Sequence, residues 1–281
     1  MRKLALQVIL VVLLIAICPP AFADDKDTQK EATNLPWSKY GIVGGAFASS
    51  TSSDIRISAK GLGFSIDVEE ALGLDTTSTV FRLAGHWRFS DNMRHRADLS
   101  WFALRRDGDT TLGQDIVIDG TTLPIGTNVN TSLHVDVYKA AYSYSFLLDD
   151  RIDLGIGLGL YVMPISFELN ASGLLTSEVS ENFTAPLPVI GLRADFALTP
   201  KWFLRSKFDI FYLEYGQFKG SIYSSSIGVE WKAFKHVGFG AAVDTFNLGI
   251  EAEGEDYPEI NLRGQLDYNY VGGLLYVKLF F

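Results

Sequence analysis

Serine, histidine and aspartate, the residue types of a nucleophilic relay, occur together at Ser132, His134 and Asp136. The three positions alternate, so on an extended strand neighbouring members stand about 6.6 Å apart, because each residue advances the chain by ~3.3 Å. That distance exceeds the roughly 3 Å over which a base accepts a proton from a nucleophile. We therefore expect this segment to be an ordinary strand edge, and we assign no catalytic residue.

Two groups of acidic residues offer the hard oxygen ligands that calcium prefers. The first comprises Asp107, Asp109, Asp115 and Asp119, and the second comprises Glu253, Glu255 and Asp256. Neither group has the ligand spacing of an EF-hand loop. We expect solvated loop charge at both places, and we assign no metal and no cofactor.

Other ionisable residues alternate with apolar ones. Residues 81–89 place arginine and histidine at even positions, and leucine and aromatic residues at odd ones. A similar alternation of apolar residues with charged residues or glycine recurs at 154–162, 190–196, 204–210 and 227–232. A period of two predicts β-strands with one apolar and one polar face. This pattern fits both a water-soluble sandwich, with the charged face outside, and a membrane barrel, with the charged face inside.

The N-terminal segment predicts secretion. The basic residues Arg2 and Lys3 precede an apolar run at 4–17, which is followed by Ala21-Phe22-Ala23. The run of roughly 14 residues is shorter than the ~20 that a membrane helix needs, and Ala-x-Ala is typical of signal-peptidase sites. We predict a signal peptide at 1–23, a flexible periplasmic leader at 24–37 and one domain at 38–281. A lipid anchor at Cys18 is the alternative, disfavoured because Ile17 precedes the cysteine.

Cleavage after Ala23 changes the composition of the mature chain. It removes the single cysteine and two of the 24 basic residues, leaving 22 basic against 33 acidic residues and a formal charge of −11. The mature chain then forms no disulfide. An acidic chain without a basic cluster excludes nucleic acid as a plausible partner.

The C-terminal segment alternates in the same way, with Leu275, Val277 and Leu279 on the face of the final residue, Phe281. This resembles the C-terminal signature of Gram-negative outer-membrane β-barrels, whose last strand ends in Phe and is read by the barrel-insertion machinery. The resemblance implies residence in the bacterial outer membrane, contact with its lipid, and insertion through the strand that ends at Phe281. An edge strand of a soluble sandwich is the alternative.

The lengths of the connections favour the barrel. Short turns are predicted near 90–92, 148–150, 199–200 and 234–235, and longer linkers at 67–77, 107–130, 171–185 and 253–259. Aromatic residues flank the short turns on the apolar face: Trp87, Phe89, Phe146, Phe196, Trp202, Trp231, Phe239 and, at the chain's end, Phe281. Such residues form the girdle of a barrel at a membrane interface. We assign this girdle to the periplasmic side.

The strand count depends on how the first and last segments are interpreted. A tally of apolar runs gives about twelve strands, with hairpins at 50–53 and 271–272, but places the long linkers in the periplasm. Treating 38–66 and 260–281 as single, long or interrupted strands gives ten, with four short turns and five outer loops. We predict an all-β fold, a single transmembrane antiparallel up-and-down β-barrel of about ten strands, with twelve or eight as alternatives. After the signal, no run of roughly 18 apolar residues remains for a membrane helix.

In such a barrel the polar face lines the lumen. The residues assigned to it are Arg82, His86, Arg88, Arg96, Asp98, Lys139, Arg193, Asp195, Arg205, Lys207, Asp209, Glu230, Lys232 and Asp244. Both signs of charge occur, and a barrel only slightly wider than eight strands is filled by its own side chains. We expect a rigid barrel that displays loops for adhesion or envelope interactions. A narrow pore for small solutes and an outer-membrane hydrolase are the alternatives, and the oligomeric state stays open.

Overall fold

The regular secondary structure of the described chain is β. The computed structural model describes residues 35–59, 62–67, 77–113, 115–118, 121–172, 177–215, 218–252 and 264–281. Its strands are β1 (Tyr40–Ala59), β2 (Leu62–Asp67), β3 (Thr77–Arg88), β4 (His95–Thr111), β5 (Ile116–Ile118), β6 (Thr121–Leu123), β7 (Asn128–Leu148), β8 (Ile152–Ser172), β9 (Ser177–Ala197), β10 (Trp202–Tyr215), β11 (Phe218–Trp231), β12 (Val237–Ala252) and β13 (Gly264–Phe280). Within the described ranges, no helix is both long and apolar enough to cross a membrane.

Ten of these strands close into an antiparallel barrel. Each pairs with the next in the order β1, β3, β4, β7, β8, β9, β10, β11, β12 and β13. The last strand pairs with the first, from Gly41 opposite Phe280 to Ile57 opposite Gly264. In the lower part of the barrel, every strand pairs with a neighbour on both sides, so no edge is free there. The predicted fold class and ten-strand count are confirmed.

Four short turns join the strands at one end of the barrel, called the lower end below. They connect β3 to β4, β7 to β8, β9 to β10 and β11 to β12. Local side chains fix two of these turns: Asp149 Oδ1 accepts the backbone N–H groups of Arg151 and Ile152 at 2.7 Å, and Thr199 Oγ1 accepts that of Trp202 at 3.0 Å. Side chains of this kind favour turns because they replace backbone hydrogen bonds. All four turns lie where the sequence predicts them.

At the opposite, upper end the predicted segment bounds need correction. Residues 38–66 do not form one strand, since β1 ends at Ala59 and β2 folds back antiparallel onto its upper part. The linkers predicted at 107–130 and 171–185 are too long, because β4 runs to Thr111, β7 begins at Asn128, and β8 and β9 pair from Ala171 opposite Ser177 downward. The linker at 253–259 and most of that at 67–77 lie outside the described residues.

Strand β7 shows how the two halves of the barrel differ. In its lower part, Tyr138, Tyr142, Tyr144 and Phe146 are exposed on the outer face, while Lys139 and Ser145 point inward. In its upper part the outer face is polar, and Val129, Leu133, Val135 and Val137 are buried inside. The lower stretch of about nine residues suffices to span a bilayer as a tilted strand. The upper half is therefore built like a water-soluble barrel, with an apolar core.

That apolar core fills the upper interior. Its buried residues come from nine of the barrel strands, from β6 and from the segment that follows β4. Fully buried members include Phe47, Leu104, Met163, Leu169 and Ile222. Aromatic rings cross the interior: Phe47 lies 5.7 Å from Phe102 and 5.5 Å from Tyr270, measured between ring centroids. Packing of this kind fills this layer of the described barrel with apolar side chains.

Candidate functional site: the lower barrel interior

The charged residues of the lower barrel converge in its interior. Each lies at an inward position of its strand, except Lys232, which directly follows β11, and each reaches a partner across or along the barrel wall. The residues that the sequence assigns to the lumen all lie in this region or at its mouth: Arg82, His86, Arg88, Arg96, Asp98, Lys139, Arg193, Asp195, Arg205, Lys207, Asp209, Glu230, Lys232 and Asp244. The geometry of their contacts shows what this region can do.

The most deeply buried cluster centres on Asp153, whose side chain is fully buried. Its carboxylate accepts hydrogen bonds from Arg88 and, at 2.5 and 3.0 Å, from the two terminal nitrogens of Arg193. Arg193 also donates to Asp195 at 3.0 Å. A Cβ added at Gly155 would lie 2.8 Å from the Arg193 guanidinium, so this glycine makes room for the arginine.

A second cluster surrounds Glu230. Arg205 donates to its carboxylate at 2.8 Å, and Lys278 lies 3.0 Å from the other oxygen. Arg205 lies 3.2 Å from Asp195 as well, and thereby links the two clusters. Tyr276 approaches Glu230 from the last strand at 3.4 Å. Buried charges of both signs, each with hydrogen-bonded partners, form a rigid connected network.

Four further ion pairs lie above these clusters. Arg82 pairs with Asp244 and lies over the rings of Phe47 and Phe102, 5.2 and 5.0 Å from their centroids. This guanidinium therefore meets the underside of the apolar core. Lys139 pairs with Asp209, which also accepts the Tyr161 hydroxyl at 2.9 Å. Lys207 donates to Asp98 at 3.0 Å, and Asp98 accepts from Arg96 at 2.7 Å.

A chamber of about 180 Å³ lies between the network and the apolar core. Six basic residues line it, namely Arg82, Arg96, Lys139, Arg205, Lys207 and Lys278, against four acidic ones, Asp98, Asp195, Asp209 and Glu230. The hydroxyl residues Ser100, Ser224 and Ser226 complete its polar wall. At the ~30 Å³ that a water occupies in the liquid, the chamber holds roughly six waters.

The segment before β1 covers the lower mouth. Trp37 is only 5% exposed, and its indole N–H donates to the Asp149 carbonyl at 2.6 Å, in the turn between β7 and β8. Its ring lies 5.9 Å from that of Phe203 and beneath the Arg205 guanidinium, 5.4 Å away. The β7–β8 turn is four strands around the barrel from β1. Residues 35–39 therefore reach across the mouth.

Several of these interior residues were missed in the sequence. Asp153, Lys278 and Trp37 were not assigned to the lumen, although the positions of the two charged residues in their strands indicate an inward face. Asp153 precedes the outward Ile156 by an odd number of positions, and Lys278 shares the parity of the buried Phe280. The predicted leader ended at residue 37, so a buried role for Trp37 was not considered. Parity within each strand would have found the two charged residues.

The residues assigned to the girdle lie around the lower end, on the outer face. Trp87, Phe89, Phe146, Trp202, Trp231, Phe239 and Phe281 are 41–62% exposed, and Phe196 is half-buried. Trp202 stacks on Trp231 at 6.0 Å, and Tyr40 stacks on Trp87 at 6.4 Å. Exposed aromatic rings at one level of a barrel are typical of a membrane interface.

The remaining described candidates for catalysis or metal binding lie on the outside of the upper barrel. Ser132 donates to Asp107 at 2.8 Å, and His134 Nε2 is 3.8 Å from the same carboxylate. Asp136 instead accepts the Trp101 indole N–H at 3.2 Å. This arrangement gives no serine-to-histidine relay. Among the described residues, no group of three His, Cys, Asp or Glu side chains is arranged to hold a metal ion. Asp119 and residues 253–256 lie outside the described residues.

Comparison with known proteins supports the fold and goes no further. No protein-family model and no curated protein matches the chain. Among solved structures, the outer-membrane protease OmpT from Escherichia coli matches with a TM-score of 0.54 at 12% identity, over 86% of this chain and 97% of that one. The P. putida toluene transporter TodX matches at 0.38 and 7%, over 91% and 93%. The attachment invasion locus protein of Yersinia pestis, Ail, matches at 0.33 and 9%, over 84% and 98%. The likeness to OmpT shows the same kind of barrel.

Proposed function

We propose that this chain is an integral protein of the bacterial outer membrane: a closed barrel that holds its polar upper half outside the cell for contacts with surfaces or envelope components. The signal peptide is cleaved near Ala23, and the insertion machinery reads the strand that ends at Phe281. The support is the belt of exposed apolar side chains on the outer face of the lower half, because soluble monomers rarely expose so large an apolar surface. Leu158, Leu275 and Phe81, for example, are 66–73% exposed on that belt.

The observation that carries the closed state is the apolar core across the upper interior. A porin keeps a polar, water-filled lumen from end to end. Here the rings of Phe47 and Phe246 each lie 5.5 Å from the ring of Tyr270 in the interior, above the ion-pair network. An ion crossing this layer would lose its hydration without compensation. The lumen charges therefore act as a structural core of the lower barrel, and we assign the chain no catalytic activity.

Location and orientation are tested with single cysteines, because the cleaved chain contains none of its own. Glu168→Cys lies on the outer face of upper β8, and Asp150→Cys lies in the β7–β8 turn. We expect a membrane-impermeant maleimide to label Glu168→Cys in intact cells, and Asp150→Cys only after the outer membrane is permeabilised. Equal labelling of both variants in intact cells, or recovery of the protein in the soluble periplasmic fraction, would refute the proposal.

Whether the barrel interior is closed to ions is tested by conductance measurements in planar bilayers. The sample is folded protein, identified by an unboiled form that migrates faster than the boiled form on a detergent gel. We expect no conductance steps from the wild type. A paired variant, Phe47→Ala with Phe246→Ala, removes two rings of the sealing layer and is expected to conduct if it remains folded. Regular steps from the wild type would replace the closed barrel with the alternative of a narrow solute pore.

A further inference from the structure

The buried charges of the lower interior do not balance. Among the described side chains of the ion-pair network, eight are basic: Arg82, Arg88, Arg96, Lys139, Arg193, Arg205, Lys207 and Lys278. Six are acidic: Asp98, Asp153, Asp195, Asp209, Glu230 and Asp244. Every one of the six carboxylates already contacts at least one of these bases. With the usual charges at neutral pH, two positive charges remain without an acidic counterpart in the network.

The excess charge faces the chamber. Its lining contains six basic and four acidic residues, and one of the six, Arg82, pairs with Asp244 outside the lining. Lys207 is the most open of these bases, with 45% of its side chain exposed, although it points into the barrel. Its ammonium has three N–H donors. Among the described residues, one of them donates to Asp98 Oδ1.

The groups around this space suit an anion with several acceptor oxygens. Lys139 and Lys207 line the chamber from β7 and β10, and Arg96 lines it from β4. The hydroxyls of Ser100 and Ser224 add donors that carry no charge. An oxyanion accepts hydrogen bonds from ammonium, guanidinium and hydroxyl groups at once, and such charge-assisted bonds are stronger than neutral ones. The chamber also has room for such an ion with part of its hydration.

We propose that the chamber binds one small inorganic oxyanion, held chiefly by Lys207, Lys139 and Arg96, as the counter-ion of the network. The anion offsets the net positive charge of the network, since buried charge without a counter-charge strongly destabilises a fold. Because the apolar core closes the interior from above, the ion enters as the barrel forms. This site is independent of what the outer half of the barrel contacts.

The binding is tested with inorganic phosphate as the probe. The purified protein is refolded into detergent micelles at constant ionic strength, with phosphate replacing chloride, and the folded fraction is read from the gel shift across a urea series. We expect the folding equilibrium constant to increase in proportion to the phosphate concentration, reaching about 100-fold when phosphate is at 100 times its dissociation constant. Chloride at equal ionic strength is expected to give less than a tenth of this increase.

Two lysine variants provide the matched comparison. Lys207→Met removes the most open base of the chamber, and Lys219→Met removes a lysine half exposed on the outer face of β11. We expect Lys207→Met to lose the phosphate dependence and Lys219→Met to keep it. An equal response of all three proteins, or no response of the wild type, would overturn the proposal.

A second measurement does not need the variant to fold. Wild-type protein folded in phosphate is passed through a phosphate-free column and then boiled, and the released anion is quantified by ion chromatography. The proposal requires about one phosphate per folded chain and none from chain kept unfolded in urea. No release from the folded protein would mean that water and a neutral lysine balance the network instead.

Discussion

Replacing Asp153 by asparagine is expected to lower the free energy of unfolding by about 3–5 kcal/mol, the usual cost of removing one partner from a buried ion pair. The substitution keeps the shape of the side chain and removes its charge. Arg193 retains Asp195 at 3.0 Å. Arg88 retains the Met93 carbonyl at 2.7 Å and the Ser145 hydroxyl at 3.5 Å, both neutral. Most of the loss therefore comes from Arg88, which is 1% exposed and keeps no described carboxylate partner.

The measurement is the folded fraction against urea, read from the gel shift in detergent micelles. Asp107→Asn is the matched control. It makes the same chemical change on a side chain that is 69% exposed. We expect it to change the free energy of unfolding by less than about 1 kcal/mol. Adding Arg88→Met to Asp153→Asn should recover part of the loss, because it removes the uncompensated guanidinium. A cost for Asp153→Asn no larger than that of Asp107→Asn would refute the idea that this network supports the lower barrel.

Three further outcomes follow from the two-part architecture. Leu158→Arg, on the apolar belt of β8, should lower the free energy of unfolding by about 2–4 kcal/mol, whereas Glu168→Arg on the same face above the belt should cost less than about 1 kcal/mol, both read from urea titrations in liposomes. Phe47→Ala in the upper core should cost about 3–5 kcal/mol in the same titration; no loss would contradict a packed interior there. In single-tryptophan variants, brominated lipids should quench the fluorescence of Trp202 but not that of Trp37, and equal quenching would mean that Trp37 does not cover the mouth.

Much of the barrel follows from local patterns. A strand turns every second side chain to the same face, so the alternation at 81–89 or 204–210 assigns each residue to a face without knowledge of its neighbours. Short polar segments around Asp149 and Thr199 contain the residues that close tight turns. With the alternating lengths of the connections, these patterns are enough to predict ten antiparallel strands.

The lower half of the barrel is apolar outside and the upper half is apolar inside. This change is also present in the local sequence but is harder to recognise. On β7 the outward positions change from Tyr138 to Asp136 without any break in parity. The pattern alone does not identify the buried upper residues, such as Val135 and Val137, as an interior core. Alternation gives the two faces of a strand, and only closure shows which face lies inside at a given height.

What the sequence by itself determined is the class of fold, the faces of the strands and the turns, because these depend on residues a few positions apart. The tertiary structure decided which charges meet. Arg82 pairs with Asp244 across 162 positions of sequence, and Lys207 pairs with Asp98 across 109. It also decided that β2 folds back on β1 and that Trp37 covers the mouth. Such contacts depend on the register in which the last strand closes on the first and on the diameter that closure creates, and no local pattern contains either quantity.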